Sequence, residues 1–233
     1  MSLPDRIGAV FCDVGGPIYD DANFVVAVLT ALDEIATERG RGPVDRGEFD
    51  RIYRAHRARQ SGSLRSALAV GLLGDAGLRG ELHDRTRPHW VHPAGTLYPD
   101  AADLFRALHG HVTTGILANQ EASVVDALTR DGLAPHIDVW GVSAVVGHEK
   151  PSPEFFGWAL DAAGVSADHA VHIGNRLDTD VRPAKALGIG TVWVTRGEAP
   201  EEPTAQQLAE ADLSVPDLTG LASILLARSG AAR

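Results

Sequence analysis

The stretch IGAVFCDVGGPIYDD, residues 7–21, is an apolar run rich in β-forming residues that ends on one carboxylate, Asp13. Two glycines, Gly15 and Gly16, follow after Val14 and favour a tight turn directly beyond the strand. A buried strand that delivers a single acid to a glycine turn has the geometry of a nucleophile at the carboxyl edge of a parallel sheet. Asp13 is therefore the first candidate site residue.

Strand-like runs recur along the chain and alternate with helix-length segments in its second half. They cover residues 7–13, 112–118, 138–142, 169–174 and 190–195. This alternation predicts an α/β fold, namely a doubly wound parallel sheet with helices on both faces. The tail after Gly197 contains one late apolar strand or helix pair, which we expect to complete the sheet.

The pattern changes between Asp20 and about Thr96, where the apolar spacing is typical of amphipathic helices and not of strands. An all-helical insert directly after the first strand would lie above the carboxyl edge of the sheet, where ligands bind in doubly wound folds. We predict a core formed by residues 1–18 and 96–233 and a helical cap formed by residues 19–95.

Composition excludes several classes of partner. Lys and Arg number 21 against 31 Asp and Glu, for a net charge of -10, so we expect no nucleic-acid partner. No apolar run approaches the length of about 20 residues that a membrane helix needs, and Met1–Arg6 lacks the features of a signal peptide. These features predict no membrane partner and a cytoplasmic location. The oligomeric state stays open.

The single cysteine, Cys12, cannot form an internal disulfide. It adjoins Asp13, but side chains alternate along a strand, so the two should point to opposite faces of the sheet. We predict that Cys12 is a buried structural thiol.

Three later segments accompany the first stretch in a fixed order. They are VTTGILANQ (residues 112–120), GHEKPSPEFF (147–156) and HIGNRLDTDVRPAKALGIGTVWV (172–194). Together the four segments resemble the four motifs of the haloacid dehalogenase superfamily, most of whose members are magnesium-dependent phosphohydrolases. The resemblance implies a Rossmann-like core with a helical cap that closes over the site and selects the substrate.

The resemblance also implies a role for residues of each motif. Asp13 would be the nucleophile that forms an aspartyl-phosphate, and Lys150 would neutralise the nucleophile and the phosphoryl oxygens. The implied cofactor is Mg²⁺, and its implied ligands are Asp13, the backbone carbonyl of Gly15, Asn175 and Asp180. The implied phosphate-binding positions are Gly16, Ala118 and Asn119.

Three positions depart from the family pattern. Gly15 stands where phosphatase members carry a second Asp, which protonates the leaving oxygen and then activates water, an effect worth about 10²–10⁴ in rate. Ala118 stands where a Ser or Thr donates a hydrogen bond to the phosphoryl group, and Asn175 replaces a metal-binding Asp, which weakens metal binding. Asp178 either restores some of that charge or is a helix N-terminal acid that faces water.

Three functions stay open at this point. The first is a phosphoric monoester hydrolase that requires Mg²⁺ and acts on a small anionic, phosphorylated metabolite. The second is a catalytically impaired member that binds a phosphorylated ligand or a protein partner, which the three concurrent losses favour. The third is a metal-independent haloacid dehalogenase, which also uses the first-motif Asp but typically carries a Tyr where this chain has Gly15 and a Ser where it has Ala118.

Several other side chains have two interpretations each. The predicted cap holds a local basic cluster formed by Arg54, Arg57, Arg59 and Arg65. This cluster either meets an anionic substrate or covers a solvated helix face. Trp90 and Tyr98 either line a pocket or pack at the hinge. We predict His172 to be a packed, hydrogen-bonded side chain and His148 to be part of the loop scaffold.

Overall fold

The computed structural model describes residues 2–229 and contains one parallel sheet. The described strands are β1 (Ala9–Cys12), β2 (Thr113–Ala118), β3 (Val139–Val142), β4 (Ala170–Gly174), β5 (Gly190–Val194) and β6 (Leu213–Val215). Their order across the sheet is β3-β2-β1-β4-β5-β6, and all neighbours are parallel. Each of the five predicted strand runs contains one of the first five strands, and the tail supplies the sixth.

The position of β1 in the middle of the sheet determines where the site lies. Cys12 is in register with Ile116 of β2 and with Ile173 of β4. Asp13 continues β1, since its backbone N–H donates to the carbonyl of Ile173 at 2.8 Å. Because parallel strands end at the same edge, the residues that follow β1, β2 and β4 meet there.

Helices connect the strands and cover the sheet. The described α-helices are α1 (Ala22–Glu38), α2 (Arg46–Arg59), α3 (Leu64–Leu68), α4 (Arg79–Thr86), α5 (Pro99–Leu108), α6 (Ser123–Arg130), α7 (Ser143–Val146), α8 (Pro153–Ala163), α9 (Arg182–Ala186), α10 (Ala205–Leu208) and α11 (Leu221–Leu226). Residues of α5, α6 and α11 pack with Val10 and Cys12 of β1, whereas residues of α8 and α9 pack with Ala9 and Phe11. Alternate residues of β1 therefore face two different cores, as a doubly wound sheet requires. Cys12 is a free, buried thiol.

The segment between β1 and β2 forms an inserted helical cap. Helices α1 to α4 carry the apolar residues Leu32, Ile35, Phe49, Leu68 and Leu82, which pack into a core separate from that of the sheet. A Pro- and Gly-containing break separates α1 from α2, and the side chain of Asp45 accepts a hydrogen bond from the backbone N–H of Glu48 to begin α2. The exact boundaries, 1–18 and 96–233 for the core and 19–95 for the cap, stay a prediction.

Two linkers that run side by side join the cap to the core. The backbone N–H of Asp20 donates to the carbonyl of Thr96, and the N–H of Tyr98 donates to the carbonyl of Ile18, both at 2.9 Å. The ring of Tyr98 lies under the guanidinium of Arg196, 3.9 Å from its Cζ, so Tyr98 packs at the hinge. Within residues 2–229, no helix has the length and apolar character needed to cross a membrane.

Candidate active site

A cavity of about 490 Å³ lies where the carboxyl edge of the sheet faces the cap. The core contributes, among others, Asp13, Gly15, Asn119, Lys150 and Asn175, and the cap side contributes Asp21, Phe24, Arg65 and Trp90. Predicted site residues from all four motifs therefore line one cavity, whereas Gly16, Ala118 and Asp180 do not line it. Of the two interpretations of Trp90, the structure supports the one in which it lines a pocket.

Asp13, Lys150 and Asp180 form a chain of charges at the base of this cavity. Lys150 Nζ lies 2.9 Å from Asp13 Oδ1 and 2.5 Å from Asp180 Oδ1, and its side chain is 2% exposed. Asp180 Oδ1 also lies 3.1 Å from His172 Nε2, while Asp180 Oδ2 accepts the backbone N–H of Arg176 at 3.0 Å. Both oxygens of Asp180 thus hold neighbouring groups in place, and His172 is a buried, hydrogen-bonded side chain, as predicted.

Burial and the mutual attraction of these charges determine their protonation. Burial raises the pKa of Asp13 to about 6, although the Lys150 ammonium opposes this rise. Burial also favours a higher pKa for Asp180, but Lys150 and His172 hold that pKa below its ordinary value. Burial favours a lower pKa for Lys150, but the two carboxylates raise it instead. At neutral pH the site therefore holds a charged lysine between two carboxylates.

Asn119 fixes the position of Lys150. Its Nδ2 donates to the carbonyl of Lys150 at 2.7 Å, and its Oδ1 accepts the backbone N–H of Lys150 at 2.8 Å. The predicted role of Asn119 was a direct phosphate contact, and in the structure its side chain is engaged with the lysine. Ala118 and Gly16 are buried and do not line the cavity.

Asn175, at the end of β4, lies against the first turn of the site. Its side-chain Nδ2 donates to the backbone carbonyl of Arg196 at 3.3 Å. The backbone carbonyl of Asn175 accepts the indole N–H of Trp193 at 2.9 Å. A Cβ at Gly16 would lie 1.9 Å from Asn175 Nδ2, and Gly16 has a φ of +88°. Only glycine satisfies both the backbone conformation and the close approach at this position.

Arg196 holds the same turn from outside the cavity, and sequence reasoning missed it. Its guanidinium donates to the carbonyls of Gly16 at 3.1 Å and of Pro17 at 2.5 Å, and it pairs with Asp100 Oδ2 at 2.8 Å. An arginine just beyond β5 carries no motif signal, because its partners are backbone carbonyls far away in sequence.

The metal ligands implied by the resemblance occupy unequal positions. Asp13, Gly15 and Asn175 line the cavity, whereas Asp180 is 0% exposed and engaged as described above. Within residues 2–229, no group of three or more His, Cys, Asp or Glu side chains is arranged to hold a metal ion. The remaining set of one carboxylate, one backbone carbonyl and one amide fits Mg²⁺, which binds proteins through few ligands and keeps several waters.

Asp178 corrects one expectation. It was predicted either to restore metal-binding charge or to face water, and it instead pairs with Arg176, whose Nη2 lies 2.8 Å from Asp178 Oδ2. The Asp178 side chain is 18% exposed, so it neither joins the cavity nor stands free in solvent. Asp178 does lie in the first turn of a short π-helix, Leu177–Val181, but the charge spacing alone does not predict its ion pair with Arg176 at the start of that helix.

Two further carboxylates near the cavity were also missed. Asp21 lines the cavity, and its Oδ1 is buried with no hydrogen-bond partner among the described residues. Burial raises the pKa of Asp21 well above its ordinary value, and the nearby charges of Glu198 and Asp13 raise it further. Glu198 also lines the cavity and accepts a hydrogen bond from the Tyr53 hydroxyl of the cap. Asp21 is the last residue of the stretch 7–21, and no motif marks it as a site residue. The pairing of the two linkers between core and cap brings it to the cavity.

The four cap arginines have different environments. Arg54 and Arg59 are exposed, and Arg57 donates to the carbonyl of Ala199 at 2.8 Å. Arg65 lines the cavity, lies over the ring of Phe24 at 5.6 Å and has a buried Nε without a hydrogen-bond partner in the described part of the chain. Of these four, Arg65 is the one placed to meet a bound anion.

Comparison with known proteins agrees with this geometry. A family model described as haloacid dehalogenase-like hydrolase matches residues 7–188. The chain is 38% identical over 124 residues to a phosphoserine phosphatase of Thermus thermophilus, covering 52% of this chain and 48% of that protein. It is 36% identical over 89 residues to a glyceraldehyde 3-phosphate phosphatase of Methanocaldococcus jannaschii, covering 38% of this chain and 37% of that protein. The chain thus spans about half the length of the first of these curated relatives and less of the second.

Solved structures match over nearly the whole chain at lower identity. A HAD phosphatase from Thermococcus onnurineus superimposes with a TM-score of 0.64 at 21% identity, covering 94% of this chain and 98% of that one. A haloacid dehalogenase-like family protein from Streptococcus pneumoniae gives a TM-score of 0.71 at 19% identity, with coverage of 94% and 98%. At these identities the likeness shows the fold alone.

Proposed function

The chain belongs to the haloacid dehalogenase-like hydrolase family, and from that premise we propose that it is a magnesium-dependent phosphatase of a small phosphorylated metabolite, with Asp13 as nucleophile. One observation carries the proposal: Asp13 faces the cavity while Lys150 Nζ lies 2.9 Å from its Oδ1. A buried lysine beside an accessible carboxylate stabilises the negative charge that develops on a transferring phosphoryl group.

The reaction would proceed in two displacements at phosphorus. An Asp13 carboxylate oxygen attacks phosphorus, the bond to the leaving oxygen breaks, and an aspartyl-phosphate forms. Water then attacks the same phosphorus, the bond to Asp13 breaks, and inorganic phosphate leaves. Lys150 keeps its place throughout because Asp180 holds its ammonium and Asn119 holds its backbone.

Mg²⁺ would be held by Asp13, the carbonyl of Gly15 and Asn175, which line the cavity together. When bound, the ion neutralises charge on the phosphoryl oxygens. Asn175 contributes an uncharged oxygen where the family pattern has a carboxylate, so we expect a weaker metal site than in members that carry the second acid.

The cavity also supports a substrate with a second anionic group. The guanidinium of Arg65 lies over Phe24 at the cap side of the cavity that also holds Asp13, and its buried Nε has no hydrogen-bond partner among residues 2–229. A guanidinium binds carboxylate or phosphate with two parallel hydrogen bonds. The names of the curated relatives, phosphoserine phosphatase and glyceraldehyde 3-phosphate phosphatase, describe small phosphorylated substrates and so favour the same size class.

Hydrolysis of p-nitrophenyl phosphate with and without Mg²⁺, in wild-type protein and in Asp13→Asn, tests the proposal. We expect magnesium-dependent turnover that falls to background in Asp13→Asn while the thermal unfolding of the variant still shows a folded protein. Full activity in Asp13→Asn overturns the assignment of the nucleophile.

Two other outcomes separate the remaining functions. Absence of turnover together with binding of vanadate, a phosphate mimic, indicates a ligand-binding member that does not catalyse. Release of halide from 2-chloropropionate without metal indicates a dehalogenase.

A further inference from the structure

The acid that the first motif lacks at Gly15 has a replacement in space. A Cβ at Gly15 would lie 2.8 Å from Asp21 Oδ1 and 3.1 Å from Asp21 Oδ2. The Asp21 carboxyl therefore occupies the space into which a side chain at position 15 would project. Gly15 and Asp21 are complementary, because a side chain at 15 and the carboxyl of Asp21 cannot both be present in this arrangement.

No hydrogen bond from the described residues accounts for the burial of Asp21 Oδ1. Asp21 directly precedes α1, where an acid commonly caps the helix, yet its side chain makes no capping hydrogen bond. Its exposed neighbour Asp20 binds the backbone instead, since Asp20 Oδ1 accepts the N–H of Ala22 at 2.9 Å. A buried oxygen without a partner destabilises the folded protein, so its retention calls for a role in the cavity it lines.

The other titratable groups that line the cavity are exposed, as His83, His148 and Glu149 are, or are engaged with neighbouring groups. Lys150 is held by Asp13 and Asp180, and Glu198 accepts the Tyr53 hydroxyl. Glu121 pairs with Arg87 at 2.8 Å. Asp21 is thus the carboxyl that lines the cavity beside Asp13 and has a buried oxygen free for an incoming group.

We propose that Asp21 is the acid–base catalyst of this enzyme, supplied by the linker that leads into the cap in place of the missing acid at Gly15. This inference rests on the proposed function above. In the first step Asp13 bonds to phosphorus, the bond from phosphorus to the leaving oxygen breaks, and the Asp21 carboxyl gives its proton to that oxygen. In the second step the Asp21 carboxylate takes a proton from water, the water oxygen bonds to phosphorus, and the bond to Asp13 breaks. Phosphate leaves and Asp21 is protonated again.

A matched pair of substrates tests this role in Asp21→Asn. Phenyl phosphate and p-nitrophenyl phosphate have similar shapes, but phenolate is the poorer leaving group and needs the proton more. We expect kcat/KM to fall by about 10²–10⁴ for phenyl phosphate and far less for p-nitrophenyl phosphate. We also expect a burst of about one nitrophenolate per active site, followed by slow turnover, because the second step lacks its base.

Asp20→Asn is the matched control, since it removes the same charge one residue away and outside the cavity. Asp20→Asn should leave kcat/KM for both substrates and the time course of nitrophenolate release unchanged. If Asp21→Asn lowers kcat/KM by the same factor for both substrates and shows no burst of nitrophenolate, the role of Asp21 is overturned while the Asp13 mechanism stands. If wild-type protein shows no Asp13-dependent hydrolysis of either substrate, the proposed function fails and this inference fails with it.

A relocation experiment keeps the proposal open to refutation if Asp21→Asn folds poorly. The φ of Gly15 lies outside the left-handed region, so an aspartate is compatible with the backbone there once Asp21 is removed. Gly15→Asp alone should destabilise the protein through its clash with Asp21. The double variant Gly15→Asp, Asp21→Gly should regain stability. Its kcat/KM for phenyl phosphate should also recover relative to that for p-nitrophenyl phosphate. A double variant that folds but stays as leaving-group dependent as Asp21→Gly contradicts the proposal.

Discussion

Replacing Lys150 by methionine removes one charge from the buried chain and leaves its shape nearly unchanged. The lysine side chain is 2% exposed, and its two carboxylate partners are 16% (Asp13) and 0% (Asp180) exposed. Methionine retains most of the buried stem, so the loss comes from the stranded charge of Asp180. Removing one partner of a buried ion pair costs about 3–5 kcal/mol.

The expected drop in melting temperature follows from chain length. At about 2–4 °C per kcal/mol for a chain of this size, Lys150→Met should lower Tm by about 6–20 °C. Urea unfolding followed by circular dichroism gives the free energy directly, if the slope with denaturant is unchanged. Phosphatase activity should be lost in the same variant, but stability is the primary readout.

Two comparisons separate this explanation from a general effect of mutation. Arg106→Met removes a cation whose Nη1 lies 3.0 Å from Asp103 Oδ1 in a pair whose side chains are 54% and 78% exposed, and it should cost at most about 1 kcal/mol. Asp180→Asn added to Lys150→Met removes the stranded charge and should recover part of the loss. A cost below about 1 kcal/mol for Lys150→Met, or no recovery in the double variant, refutes the reasoning.

Three further predictions concern metal, substrate and positioning. Asn175→Asp adds a charged oxygen to the cavity, so the Mg²⁺ concentration for half-maximal activity should fall at least about tenfold, about 1.4 kcal/mol, and Mg²⁺ should raise its Tm more than that of wild type. Arg65→Ala should raise KM for a phosphorylated substrate that carries a second anionic group but leave KM for p-nitrophenyl phosphate nearly unchanged, whereas Arg54→Ala, at an exposed position, should change neither KM; equal effects on both substrates contradict an anion contact. Asn119→Ala should cost about 1–3 kcal/mol of stability and lower kcat, because the backbone of Lys150 loses both side-chain hydrogen bonds; an unchanged kcat would show that Lys150 keeps its place without them.

The sheet was predictable because its signals are local. Each strand is a short apolar run bounded by turn residues, and parallel strands bring their carboxyl ends together whatever the intervening loops do. Asp13, Asn119 and Asn175 each follow such a run, so their meeting follows from topology alone. The position of Lys150 between two motifs was enough to predict it as a site residue. Its partner Asp180 was predicted as a metal ligand.

The remaining parts of the site depend on contacts that sequence spacing does not encode. The role of Asp180 is decided by Lys150 and His172, which reach it from two other segments. Arg196 finds its partners in backbone carbonyls of the first turn, about 180 residues earlier. Both cases depend on three-dimensional distance, and an oxygen that binds a lysine has the same sequence signature as one that binds a metal.

Gly15 shows why a missing motif residue does not decide between an active and an inactive family member. In a comparison of sequence motifs, glycine at position 15 means that the acid is missing, and three such losses favour a protein that binds a ligand without catalysis. In the three-dimensional structure a carboxyl group still occupies that place, because Asp21 Oδ1 lies 2.8 Å from the position of a Cβ at Gly15. Catalysis depends on which groups surround the phosphoryl group and not on which segment carries them. Because Asp21 lies on the linker that leads into the cap, a motion of the cap would also move the acid toward or away from Asp13. In that case, closure over a substrate would complete the site as well as exclude water.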